Sequence, residues 1–203
     1  MEKKISNILS IILHPLLVPT FFVLIVYQFP IYFLPIEFIR IKYLVLLYVF
    51  FMTGVIPALV AFILWRFKVI GSLQMKQRGD RVFPLLVVAV FYYFTYYTLN
   101  KNNTFPVLNL FLVGSAILAL LTLLINNYSK ISLHMISWGG VTGALTGLAF
   151  FFHLEPFFWI ILVIFLSGIA GYARLKADAH WPRQVYIGYV FGFAVMMALF
   201  LVA

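Results

Sequence analysis

The sequence predicts an all-α, polytopic membrane protein, a bundle of six to seven transmembrane helices, and three observations carry that prediction. Hydrophobic residues make up 65% of the chain and charged residues only 9%. Mean hydropathy is +1.10, and the apolar residues come in long unbroken runs. A water-soluble domain needs about a quarter of its residues charged. A bilayer core about 30 Å thick asks for roughly 20 apolar residues per helix, whereas barrel strands alternate over about 10. With 203 residues in all, spanning segments consume nearly the whole chain, so residues 1–203 are read as a single transmembrane domain. The chain has no cysteine, which removes disulfides, thiol catalysis and thiolate metal sites.

Pro, Gly, Asn and charge clusters punctuate the apolar runs and place helices at about 7–29, 42–66, 84–100, 105–126, 134–153, 155–173 and 184–203. The first follows Met1-Glu2-Lys3-Lys4 and has no small-residue cleavage site, so it reads as a retained helix rather than a signal peptide. His14-Pro15 inside it marks a kink, with His14 expected to be a packed, hydrogen-bonded histidine beside the proline, the alternative being that it faces a pocket on the basic side. The third, Pro84 to Asn100, covers only about 25 Å at ~1.5 Å per residue and reads as a tilted or partly re-entrant segment. His153-Leu154-Glu155-Pro156 is a tight turn that makes a hairpin of the fifth and sixth helices. Glycines recur every four residues at Gly139, Gly143 and Gly147, and again at Gly188 and Gly192. Small residues at that spacing let helices approach closely where lipid gives no hydrophobic drive for association.

Charge placement predicts orientation. One side of this topology carries Lys3, Lys4, Arg66, Lys68, Lys76, Arg78, Arg81, Lys130, Arg174, Lys176 and Arg183, and the other only Arg40, Lys42 and Lys101, which is 11 cations against 3. Lysine and arginine in short loops stay in the cytoplasm. The basic face is therefore expected on the cytoplasmic side of an inner membrane, held in part by anionic headgroups, with no nucleic-acid partner.

Three clusters on the basic side call for more than headgroup attraction. They are Lys76-Gln77-Arg78-Gly79-Asp80-Arg81 before the third helix, Lys130-Ile131-Ser132-Leu133-His134 before the fifth, and Arg174 through His180 to Gln184 before the last. Two helices separate each cluster from the next, and an even number of crossings returns the chain to the same face. Paired histidines beside cations and a serine suit phosphoryl transfer. Guanidinium and ammonium groups spread the charge on the phosphate oxygens, one imidazole attacks phosphorus, and another protonates the departing alkoxide.

In order and content these clusters resemble the three signature motifs of the type 2 phosphatidic acid phosphatase superfamily of membrane lipid phosphatases. The third motif runs Ser-Arg, five residues, His, three residues, Asp, and Arg174 and His180 keep the five-residue interval. Ser132-Leu133-His134 corresponds to the second motif, Pro-Ser-Gly-His. The first, Lys, six residues, Arg-Pro, is matched loosely by Lys76, Arg81 and Pro84. The resemblance covers about the last two-thirds of the chain. It implies that His180 is the nucleophile, forming a phosphohistidine, and that His134 is the general acid. Lys76, Arg81, Ser132 and Arg174, with Lys130 nearby, would hold the phosphate, and neither metal nor cofactor would be needed. The ligand implied is a lipid phosphate or pyrophosphate.

Two departures bear on activity. Gln184 stands where the family has aspartate, and Leu133 where it has glycine. Glutamine can hold an imidazole's tautomer but cannot stabilise charge on it, and in the serine-protease template the corresponding amide swap costs about 10⁴ in turnover. The residues therefore leave an alternative open: a catalytically inactive relative, acting as a lipid-binding subunit of a membrane assembly or as a small transporter.

Overall fold

The computed structural model describes the backbone of residues 2–29, 36–75, 77–102, 106–152, 156–177 and 179–202, and within these the side chains of all but 36–40, 102, 151 and 152. The described residues are helical, with no strand. The helices are α1 (Glu2–Ile12), α2 (Val18–Val26), α3 (Ile36–Val49), α4 (Ile56–Arg66), α5 (Val82–Leu99), α6 (Pro106–Tyr128), α7 (Leu133–Phe152), α8 (Phe157–Lys176) and α9 (Pro182–Val202). Six stretches among the described residues are long and apolar enough to cross a membrane: Glu2–Val26, Ile41–Arg66, Gly79–Leu99, Pro106–Tyr128, Phe157–Lys176 and Pro182–Val202. The remaining expected span, α7, has 20 residues, about 30 Å at ~1.5 Å each. Protein encloses much of it: Met135, Ile136, Trp138, Val141, Ala144, Leu145 and Leu148 are all buried.

Two helices begin earlier than the sequence suggests. The second helical stretch starts at Ile36 rather than near residue 42, because lysine and arginine are good helix formers and do not stop a helix. The third crossing runs Gly79–Leu99, 21 residues, and is not short. Pro84 falls in the first turn of α5, where amide hydrogens have no partner within the helix anyway, so the proline does not mark the start.

The chain divides into two compact units, residues 1–18 with 128–203 and residues 19–127. In the second unit, Val23, Val45, Val49, Leu108 and Leu112 form a buried cluster, beside which Phe22 and Phe111 stack with centroids 3.8 Å apart. Between α3 and α4 the helix widens into a π turn over Phe50–Val55. Pro57 accounts for it: proline has no amide hydrogen and its ring crowds the carbonyl four residues back, which the wider turn relieves. After α4 the chain reverses through Lys68, at φ 58°, with Lys68 N–H bonded to Trp65 O and Val69 N–H to Leu64 O. This closure usually takes glycine. The loop that follows is tied by Asp80, whose Oδ1 accepts from Gly71 N–H at 2.8 Å, and by Arg78, whose carbonyl accepts from Asn126 Nδ2 at 2.9 Å.

In the other unit α7 and α9 run parallel, joined along a seam of glycines. A Cβ on Gly139 or Gly143 would collide with the carbonyl of Tyr189 or Phe193, and one on Gly192 with the carbonyl of Ile136. The partners stay fifty residues apart (139 with 189, 143 with 193), as a parallel pair requires. Backbone thus lies on backbone, the close approach that the repeated glycines predict. α8 packs against α7, and α1 against α8.

Candidate functional site

The parallel seam fixes the start of α7 beside the first turn of α9. Ser132 N–H donates to Gln184 O at 3.2 Å, and a Cβ on Gly188, one turn further on, would lie 3.0 Å from Ser132 O. The second and third sequence clusters therefore meet within one unit. Ser132, His134 and His180 are all buried. Arg174, in the last turn of α8, and His180 both lie within electrostatic range of His134.

Gln184 has two tasks. Its Oε1 is 3.3 Å from Trp181 N and 3.0 Å from His180 Nδ1. A backbone N–H can only donate, so the amide oxygen faces both groups and His180 Nδ1 must carry a hydrogen. The neutral ring then has its lone pair on Nε2, the form a nucleophile needs. Towards Trp181, Gln184 is the reaching-back half of a capping box, a glutamine at the third helical position bonded to the N-cap amide. Pro182 at the first helical position completes this helix start.

His134 is fixed from the opposite side of the cluster. Its Nε2 lies 3.1 Å from Ser10 O, and since a carbonyl only accepts, the hydrogen is on Nε2 and Nδ1 has the lone pair. Ser10 O is available because α1 breaks at Pro15. His14 N–H bonds to Ile11 O instead of reaching Ser10 O, and the Leu13 carbonyl, likewise left over, accepts from Trp138 Nε1 at 3.1 Å. One proline thus gives two side chains of α7 their acceptors.

The break also brings in His14, which the sequence places as a packed, hydrogen-bonded histidine beside the proline. His14 meets His134 edge-on, with centroids 5.4 Å apart and rings at 78°, and lies within electrostatic range of Arg174. The available signal was the His-Pro pair itself, an ionisable ring placed where the first span must bend. Three imidazoles and one guanidinium therefore gather at the ends of α1, α7 and α8 and the start of α9.

Comparison of the chain with family models, curated proteins and solved structures finds no match.

The cluster has unmet hydrogen-bonding capacity. Arg174 Nε, Ser132 Oγ and Ser10 Oγ are buried and have no hydrogen-bond partner among the described residues. Among those residues no three His, Asp or Glu side chains are grouped to hold a metal ion. Lys130 is half-buried two residues before Ser132. Lys76 lies outside the described residues. Arg81 belongs to the second unit, where it is buried and its Nε donates to Met75 O at 3.3 Å.

Proposed function

We propose that this chain binds the phosphate of a membrane lipid and hydrolyses its monoester or pyrophosphate bond through a phosphohistidine on His180. The observation that carries the reading is the buried, unpartnered Arg174 Nε and Ser132 Oγ in the same cluster as an imidazole fixed with its lone pair on Nε2. A buried hydrogen-bonding group without a partner costs about 1–3 kcal/mol, and an anion supplies the acceptors that the Arg174 Nε and Ser132 Oγ lack.

The chemistry follows from the tautomers. His180 Nε2 forms a bond to phosphorus as the bond to the leaving oxygen breaks. That oxygen takes the broken bond's electron pair and a proton from His134 Nδ1, which has first taken it from the monoprotonated phosphate of the bound substrate, while the His134 Nε2–H stays on Ser10 O. Water then attacks the phosphohistidine, giving its proton to His134 Nδ1 and returning the electron pair to His180. Arg174 and Ser132 hold the phosphoryl oxygens, with Lys130 as a further cation two residues before Ser132. Gln184 keeps His180 in its nucleophilic form.

Depth supports a lipid ligand. Trp181, Tyr172 and Tyr186 are exposed around the cluster, and Lys176 Nζ lies 5.8 Å from the Tyr172 ring centroid. Exposed Trp and Tyr beside lysine characterise the headgroup level, where lipid phosphates reside. From the charge bias we infer that this face lies on the cytoplasmic side of an inner membrane. Because the chain has no cysteine, Lys176→Cys gives a single label site at the exposed end of α8, and labelling from outside intact cells would refute that orientation.

The decisive assay is phosphate release from phosphatidic acid, phosphatidylglycerol phosphate and a polyprenyl pyrophosphate in mixed micelles without added metal. The proposal expects turnover with at least one of them and none in His180→Ala. Binding without turnover on all three would leave a lipid-phosphate binding protein and sink the hydrolase.

A further inference from the structure

We propose that His14 is a phosphate-binding residue of this cluster, presenting its Nε2–H to the anion alongside Arg174 and Ser132. The inference rests on the phosphate-site reading above and extends it to a segment outside all three sequence clusters.

The geometry begins with the break in α1. His14 has an extended backbone (φ −66°, ψ 138°) and caps the short 3₁₀ turn Pro15–Leu17. Its Nδ1 accepts from Leu16 N–H at 3.3 Å. A ring nitrogen can accept only through a lone pair, so the hydrogen of His14 sits on Nε2. The two neighbouring histidines differ in this respect. His134 has its Nε2–H on Ser10 O, and His180 has its Nδ1–H on Gln184 Oε1. Of the three imidazoles, His14 is the one whose ring hydrogen has no bond within the protein among the described residues. It stands edge-on to His134, and Arg174 acts on both rings. A third histidine whose ring hydrogen is unspent, in a cluster with the buried Nε of half-buried Arg174 and the buried hydroxyls of Ser132 and Ser10, none with a partner among the described residues, is a donor set for a tetrahedral oxyanion. His180 offers its lone pair to phosphorus, His134 exchanges a proton through Nδ1, and His14 takes no part in either transfer. Its contribution is binding.

The cap also supplies a clean test. In His14→Asn the side-chain oxygen can still accept Leu16 N–H, asparagine being among the best capping residues, while the Nε2–H is lost. His14→Gln places an amide hydrogen near the former Nε2 and gives up the cap. Binding is measured directly, without turnover, by titrating purified wild type and both variants in detergent with inorganic phosphate, and with phosphatidic acid in phosphatidylcholine micelles. A lost hydrogen bond to a charged group predicts about 10–100-fold weaker binding for His14→Asn on both arms, with thermal stability unchanged and partial recovery in His14→Gln. Wild-type affinity retained in His14→Asn would overturn the proposal. So would a loss on the phosphatidic acid arm alone, which would mean that His14 touches glycerol or acyl chain rather than phosphate. If wild type binds neither ligand, the site reading falls and takes this inference with it. If it binds both, loses affinity in His14→Asn and hydrolyses nothing, only the hydrolase reading fails.

Discussion

Replacing Gly192 by alanine should drive α7 and α9 apart. The new Cβ would run into the Ile136 carbonyl, with the carbonyl carbon 2.8 Å away and Gly140 N 3.0 Å away, whereas non-bonded carbon contacts settle near ~3.5–4.0 Å. Every atom it meets is α7 backbone, so no side chain can rotate aside and the helices must separate by on the order of 1 Å. Overpacking of this kind costs about 1–3 kcal/mol, and the rigid partner argues for the upper end. Alanine returns about 1 kcal/mol as the better helix former, leaving a net loss of about 2 kcal/mol. For a chain of this size each kcal/mol moves Tm by about 2–4 °C, so Gly192→Ala in detergent should melt about 4–8 °C below wild type. Two other glycines calibrate the measurement. A Cβ on Gly168 meets nothing within 4 Å, so Gly168→Ala should match or exceed wild type. One on Gly188 meets Ser132 O at 3.0 Å, which a small shift relieves, so Gly188→Ala should fall between them. A Gly192→Ala protein melting at or above Gly168→Ala would refute the backbone-contact seam.

Lys68→Gly should raise Tm, because a lysine at φ 58° bears a left-handed penalty of about 1–2 kcal/mol that glycine does not; thermal unfolding would show the gain. Trp138→Phe removes the indole donor from the buried Leu13 carbonyl and should cost about 2 kcal/mol by the same measurement. Gln184→Glu keeps the reach of the side chain and adds a charge beside His180 and at the start of α9, where the helix dipole favours it. Restoring the orienting carboxylate should increase phosphate release on the order of tenfold or more, and an unchanged rate would show that His180 develops no charge in the rate-limiting step.

The helical class and most helix positions were legible because hydropathy over twenty residues is a sum, insensitive to any single residue. What misled was punctuation. Pro84 read as a start, but in the first helical turn a missing amide hydrogen costs nothing, and the crossing runs from Gly79. Lys42 read as a boundary, yet α3 begins at Ile36. Pro57 gave no boundary at all, because a π turn absorbs it. Proline and charge say which hydrogen bond is missing or which end is solvated, and the neighbouring residues decide whether that ends a helix.

At the candidate site the legible part was spacing along the chain. Arg174 with His180 and Ser132 with His134 lie in short segments, and the glycines that bring those segments together are themselves periodic. Less visible was everything that depends on backbone carbonyls. Ser10 contributes an oxygen rather than a side chain, and its availability traces to Pro15, five residues later and in a helix that carries none of the three clusters. Gln184 makes the same point in reverse. Judged only as a replacement for aspartate it reads as a loss, but its position two residues after Pro182 makes it the capping residue of α9, and one oxygen holds both the helix start and the imidazole. A carboxylate one methylene shorter would have to leave the Trp181 amide or His180 Nδ1. The amide therefore reconciles two geometric demands on a single side chain, and whether this arrangement turns over substrate depends on how much charge His180 must bear as its bond to phosphorus forms.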